Sequence, residues 1–222
     1  MNDFFQILNE YQGVFWDGFW VTIQLCLIVW ITGISQGIIL SIIAYKVPIP
    51  FFYIFQLLTL LIISVPFLIT LYWFYYPFQA LIGRNFSPFV TAAFTLSFIN
   101  TFLVYQVLIS SLRNFPNQIA DTASVCGLSS IDVLRKIKIP IILRKSIPGI
   151  VMLQIFILQT SIFSGAISVQ EIFKKAQLIN SEVQQPVTIY SAMAVFFIFL
   201  CFPIYLLSIY YNQKYTKELA EK

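Results

Sequence analysis

Five stretches of this chain contain no charged residue at all: Gly18–Tyr45, Val47–Gly83, Asn85–Leu112, Ser146–Gln170 and Val183–Gln213. A helix needs about 20 apolar residues to cross the roughly 30 Å of hydrocarbon in a bilayer, so each stretch can hold one span. Of the 222 residues, 10% are charged and 59% hydrophobic, whereas a soluble domain carries about 25% charged residues. Too little charge remains to cover a water-facing surface, which excludes a soluble enzyme and intrinsic disorder alike. The chain reads as an all-α membrane protein of five transmembrane helices. It forms a single domain over 1–222, with spans near 19–45, 51–75, 88–112, 147–167 and 188–211 and a cytoplasmic loop over 113–146. The longest stretch reads as one helix kinked at Pro66, with Tyr75, Tyr76, Pro77 and Gly83 in an interfacial loop.

Asp3, Glu10 and Asp17 precede the first apolar run where a cleavable signal peptide would carry basic residues, so the first span is expected to be retained. Five spans put the termini on opposite sides. With the N-terminus outside, Lys46, Arg113, Arg135, Lys136, Lys138, Arg144, Lys145, Lys214, Lys217 and Lys222 lie inside. Only Arg84, Lys174 and Lys175 then lie outside, and the positive-inside rule selects that orientation. The formal net charge of +4 does not indicate nucleic acid, because the basic residues sit between apolar runs and not on one polar face.

Histidine is absent, which removes the commonest general base and metal ligand. Cys26, Cys126 and Cys201 are odd in number and far apart, a spacing of packing residues, with no disulfide framework or metal set. In the first span, Gly33, Gly37 and Ser41 form a ridge of small residues on one helix face. Such a ridge admits another backbone closely, either in a second copy or within the same chain.

The segment Arg113–Lys145 reads as two short helices around a turn. Ile119, Ala123 and Cys126 recur at helical spacing and stop at Gly127, a residue suited to the left-handed position after a helix. Ser129 and Asp132 have the spacing of a capping box, which starts a second helix. Ile131, Leu134 and Ile137 would form its apolar face, Arg135, Lys136 and Lys138 its basic face, and Pro140 its end. An elbow of this kind suits a groove on a soluble partner; a basic amphipathic element on anionic lipid is the other reading of the same pattern.

The residues Asp121-Thr122-Ala123, Gly127-Leu128-Ser129 and Ile137-Lys-Ile139-Pro140 resemble the cytoplasmic-loop signature of ABC-importer permease subunits. Arg144, Pro148 and the run Ser168–Ile179 resemble the polar amino acid branch (histidine, arginine or glutamine type), and Gly18–Thr22 with Pro66 do so more weakly. The resemblance covers Gly18 to Tyr211. It implies a type I ABC importer permease fold with cytoplasmic coupling helices, located in a bacterial inner membrane. The implied partners are a second permease subunit (a heterodimer more than a homodimer), a cytoplasmic ATPase dimer, an external solute-binding protein and membrane lipid, without nucleic acid. Asp121, Thr122, Ala123, Gly127, Leu128, Ser129 and Pro140 would then couple to the ATPase. The chain has no GxxxxGK[ST] run to cradle phosphates, so it cannot supply the nucleotide chemistry itself; the resemblance implies that it is not an enzyme, binds no cofactor of its own and leaves ATP to the partner.

Several positions depart from that branch. Ile63-Ser64-Val65-Pro66 stands where the branch has Arg-Gly-Thr-Pro. Gln106 and Ile109 stand where it has Glu and Arg, and Gln159-Thr160-Ser161-Ile162 where it has Lys-Asp-Thr-Ser. Intramembrane charge costs about 2.5–3.5 kcal/mol on insertion scales and is retained only for function. Its loss suggests either an accessory half of a heterodimer or recognition through neutral groups, with Pro66, Asn100, Gln106, Gln154, Gln159, Thr160 and Ser161 as the candidate path. For each polar side chain here, a plain interhelical hydrogen bond is the alternative role. An ATP-independent carrier or channel, or a non-transporting scaffold that binds an ATPase, are the competing function classes; carriers usually place ionisable groups in the bilayer, and these stretches have none.

Overall fold

A computed structural model describes residues 7, 9–116, 118, 122 and 125–220. Helix α1 spans Gln12–Lys46, α2 Ile49–Ser64, α3 Phe67–Tyr75, α4 Pro77–Ile82 and α5 Pro88–Arg113. A turn at Ser130–Asp132 leads through a π-helical segment, Val133–Lys138, into α6 (Ile139–Thr160), which tightens into a 3-10 segment at Ser161–Ile167. Helix α7 (Ile172–Val183) and the long α8 (Pro186–Ala220) complete the chain; no strand occurs among the described residues. Four helical stretches are long and apolar enough to cross a membrane, and α2 with α3 and α4 forms a fifth, bent candidate. The chain is an all-α multi-pass membrane protein.

The bend in that fifth candidate is 91°, larger than the kink expected from Pro66. Its cause is local: Pro66 forces Val65 into extended backbone (φ −76°, ψ 126°), and its carbonyl then accepts the Ile69 and Thr70 amides that start α3. Beyond it, the segment expected as a loop is helical. Pro77 sits in the first turn of α4, where its missing N–H costs nothing, and Gly83 ends the helix at φ +68°. Gln79, buried, joins this corner to α5 by donating to Thr91 Oγ1 (3.0 Å) and accepting from the Phe86 amide (2.8 Å).

Helices α1 and α5 form the most extensive pairing in the bundle, and the small-residue ridge explains it. A Cβ on Gly33 would meet the Asn100 side chain at 2.5 Å, and one on Gly37 would meet Val104 at 2.7 Å and the Thr101 carbonyl at 2.9 Å. The ridge therefore serves packing within the chain and leaves no face at Gly33 or Gly37 for a second copy. Ser41, its third member, donates to the Gly37 carbonyl at 2.7 Å. A second pairing, α5 with α6, is antiparallel: Asn100 meets Gln154 near mid-helix, and Ser146, in the first part of α6, donates to Ser111 (3.0 Å) near the C-terminal end of α5.

Candidate functional site

Two regions matter: the elbow before α6 and the polar groups between α5, α6 and α8. In the elbow, Asp121 and Ala123 lie outside the described residues, as does Ile119 of the apolar stripe. Thr122 is helical and exposed, and its carbonyl accepts the Cys126 amide at 3.1 Å. Gly127 takes the left-handed conformation (φ +86°) with open space around it, as its position after a helix requires. Leu128 is half-buried and Ser129 exposed. Ser129 Oγ accepts from the Asp132 amide (3.2 Å), as a cap does, and donates to Asp132 Oδ2 (2.6 Å). Asp132 also pairs with Lys136 at 2.8 Å, and these hydrogen bonds from Lys136 and Ser129 hold its carboxyl below the ordinary range.

Pro140 does not end this helix. It falls in the first turn of α6, and the helix runs on without a break because the preceding turn widens to π geometry. A proline ring collides with the carbonyl four residues earlier in an α-helix; the wider turn accommodates it, a usual origin of π segments. The same widening shifts the phase of the apolar stripe. Val133 and Ile137 turn inward, whereas Ile131 is 67% exposed and Val125 89% exposed. The two exposed apolar side chains flank Gly127 at the tip of the elbow.

The base of the elbow is seated firmly. Phe115, Val133 and Ile142 are buried, and Phe115 and Ile142 join Ala44, Phe52, Tyr105, Ile109 and Leu112 in one cluster. The Arg113 guanidinium stacks 3.2 Å above the Phe52 ring, and Lys138 donates to the Tyr45 hydroxyl at 3.3 Å. The elbow is thus continuous with α6 and packed against the C-terminal ends of α1 and α5 and the N-terminal end of α2, the arrangement of a lever.

The candidate path residues separate into two groups. Asn100 and Gln154, both buried, exchange amide hydrogen bonds at 3.0 and 3.3 Å, and each also donates to a main-chain carbonyl, of Val29 and Ile150. Thr160 and Ser161 turn their hydroxyls back onto the carbonyls of Phe156 and Leu158, both at 2.7 Å. Asn100 and Gln154 thus join α5 to α6, while the Thr160 and Ser161 hydroxyls are satisfied within their own helical segment. Gln106 and Gln159 are exposed, Gln159 in a shallow apolar cleft with Cys201, Phe202 and Tyr205 of α8. Gln106 lies six residues C-terminal to Asn100 on α5 and Gln159 five residues C-terminal to Gln154 on the antiparallel α6, which at 1.5 Å per residue separates the two glutamines by about 16 Å along the bundle. They form no single site within this chain. Pro66 is exposed at the bend between α2 and α3.

The paired amides make a direct prediction. Replacing Asn100 by leucine leaves the buried Gln154 Oε1 without its donor, at a cost of about 1–3 kcal/mol for a buried unpaired group, while the double replacement by leucine removes both polar groups. Denaturation in mixed micelles is expected to show the double variant less destabilised than the sum of the singles. Additive losses would mean that the pair is not coupled.

Sequence reasoning missed one buried group, Glu171. Nothing in the sequence singles it out beside Lys174 and Lys175, yet it is fully buried. It caps α7, with Oε2 accepting from the Phe173 amide (2.8 Å) and Oε1 from the Lys174 amide (2.6 Å). A polar residue just before an apolar-periodic segment signals a cap, but nothing local signals burial.

The bundle with its continuous, exposed elbow resembles the transmembrane permease subunits of ABC importers in sequence and in fold. No family model matches the chain. Over 219 residues, 96% of this chain and 93% of the relative, it is 28% identical to the probable glutamine ABC transporter permease protein GlnP of Bacillus subtilis (strain 168). Its fold matches a chain of an amino acid ABC transporter crystallised with histidines at a TM-score of 0.85, with 16% identity and coverage of 93% of this chain and 96% of that one. The inward-facing MetNI methionine ABC transporter matches at a TM-score of 0.79, with 14% identity and coverage of 93% and 98%.

Proposed function

We propose that this permease forms half of the path for a polar amino acid, with its N-terminus outside and C-terminus in the cytoplasm of a bacterial inner membrane. A separate ATPase dimer grips the elbow and uses the ATP, a second permease subunit, different in sequence, supplies the other half, and a solute-binding protein delivers substrate outside. The observation that carries this reading is the elbow itself. Val125 and Ile131 stand exposed beside Gly127 at its tip, while its base is continuous with α6. Exposed apolar side chains of this kind mark a contact surface, and a rigid helix carries motion from it into the bundle. Within that contact, Asp121, Thr122, Ala123, Gly127, Leu128 and Ser129 face the ATPase, and Pro140 sets the turn that joins the elbow to α6.

The polar amino acid assignment is supported by the glutamine-permease relative. The separation of Gln106 from Gln159 favours the accessory-half reading over a complete neutral site in this subunit. Reconstitution of the chain with the ATPase and second permease in liposomes tests both points. ATP-dependent uptake supports the importer, and uptake without ATP would replace it with a carrier. Gln106→Ala and Gln159→Ala are expected to change uptake less than twofold, and a tenfold loss in either would put substrate recognition in this subunit.

A further inference from the structure

We propose that Glu171 is a positioning residue for transport: its carboxyl is a proton-operated clamp that holds the N-terminal end of α7 against α1 and the 3-10 segment. The joint is unusually close. A Cβ on Gly18 would lie 2.8 Å from the Ile172 main chain, and one on Gly165 would lie 2.8 Å from Glu171 Oε1. The Ile172 amide donates to Thr22 Oγ1 at 3.1 Å, so α1 itself supplies an acceptor for the start of α7. Ser168 takes a left-handed conformation (φ 71°), which turns the chain sharply enough to bring Glu171 under the 3-10 segment. The clamp needs only this geometry, and its bearing on transport rests on the permease assignment.

Serine or threonine would cap α7 without placing an ionisable group in the interior. A carboxyl adds dependence on protons. The charged and titratable groups around it are few: Lys174 on its own helix, Lys175 against Gly18, the buried Cys26 thiol on α1, Tyr190 of α8 beside Phe173, and exposed Asp17 before Gly18. The 3-10 segment presents no titratable side chain, and the Ser161 and Ser164 hydroxyls turn back to the main chain. Burial pushes the Glu171 carboxyl up from 4.5 to about 7, against the opposing pull of the Phe173 and Lys174 amides and the Lys174 charge.

The sign follows from that direction. A neutral carboxyl costs less to bury, so docking is firmest below the ordinary carboxylate pKa and is lost progressively as pH rises through about 7. By linkage, the ratio of docked to released α7 falls about tenfold between pH 6 and 8.

Hydrogen exchange of the full-length chain in lipid nanodiscs tests the clamp through the Ile172, Phe173 and Lys174 amides, each rate divided by its intrinsic rate at that pH. Wild-type protection is expected to fall about tenfold from pH 6 to 8, and Glu171→Gln is expected to be flat. Lys174→Gln keeps the clamp but removes a charge that favours the carboxylate, so its transition moves to higher pH; this decides the matter if Glu171→Gln does not fold. Flat protection in both wild type and Lys174→Gln, or the same slope in Glu171→Gln as in wild type, overturns the clamp. In the reconstituted transporter, wild-type uptake is expected to have a pH profile that Glu171→Gln flattens. Exchange that follows pH with uptake that does not overturns the role in transport. Absence of ATP-driven uptake at every pH instead counts against the permease assignment, and exchange still judges the clamp.

Discussion

Gly37→Val is expected to lower the melting temperature of the purified protein sharply and to reduce the folded fraction recovered from the membrane. The new Cβ would fall 2.7 Å from Val104 and 2.9 Å from the Thr101 carbonyl. A main-chain atom cannot step aside as a flexible side chain can, so α1 and α5 must separate along their most extensive contact. Overpacking of this kind costs about 1–3 kcal/mol. Gly33→Val adds a second loss, because displacing Asn100 breaks its bonds to Val29 and Gln154. Gly13→Val on the same helix is the control, since a Cβ there meets nothing within 4 Å. Thermal unfolding followed by size-exclusion chromatography in detergent reads all three; equal melting temperatures would mean that the α1–α5 contact is looser than described.

The second large effect is expected at Gly127, where the substitution acts on the backbone alone. A side chain at this position meets no neighbour, but the residue sits at φ +86°, which a β-branched residue strongly disfavours. The left-handed conformation costs an L-residue roughly 1–2 kcal/mol, a factor of about 5–30 in population. Gly127→Val should therefore misaim the elbow and lower ATP-driven uptake by about that factor, while leaving the melting temperature of the bundle unchanged. Asparagine visits this region of the backbone more readily than other residues, so Gly127→Asn is expected to retain most uptake. Full uptake by Gly127→Val would show that the elbow does not need its turn to couple.

What could be read from the sequence follows a physical division. The absence of charge over five stretches sets how many times the chain can enter the bilayer, because the cost of burying charge is local to each residue. Pro66 announced a break and Gly127 a left-handed turn for the same reason: a proline ring or a missing Cβ restricts the backbone wherever it lies. Ser129 and Asp132 lie three residues apart on one helix turn, and the Ser129 hydroxyl caps the Asp132 amide as their spacing predicts. Local rules were weaker where neighbours intervene. Pro140 looked like a terminator, but the preceding turn relaxed to π geometry and the helix continued. Pro77 looked like part of a loop, yet it serves as the first turn of α4.

The candidate path shows the limit most clearly. Seven residues were singled out for polarity or position within apolar runs, and polarity alone could not say which were bonded to one another. Asn100 and Gln154 are 54 positions apart, and only the antiparallel approach of α5 and α6 makes them partners. Gln106 and Gln159 have the same chemistry but are exposed, and Gln159 meets the Cys201 thiol of α8 and not a second amide.

The sequence by itself determined the number of membrane-crossing stretches, the elbow's turn and cap, and the close approach required along Gly33 and Gly37, because each follows from a property of a residue or of one helix face. Only the tertiary structure decided that α5 is the helix that fills that ridge, that the bend at Pro66 reaches 91°, and that Glu171 is enclosed by α1 and the 3-10 segment. Burial and pairing depend on atoms distant in the chain, and no local pattern encodes which of them will arrive.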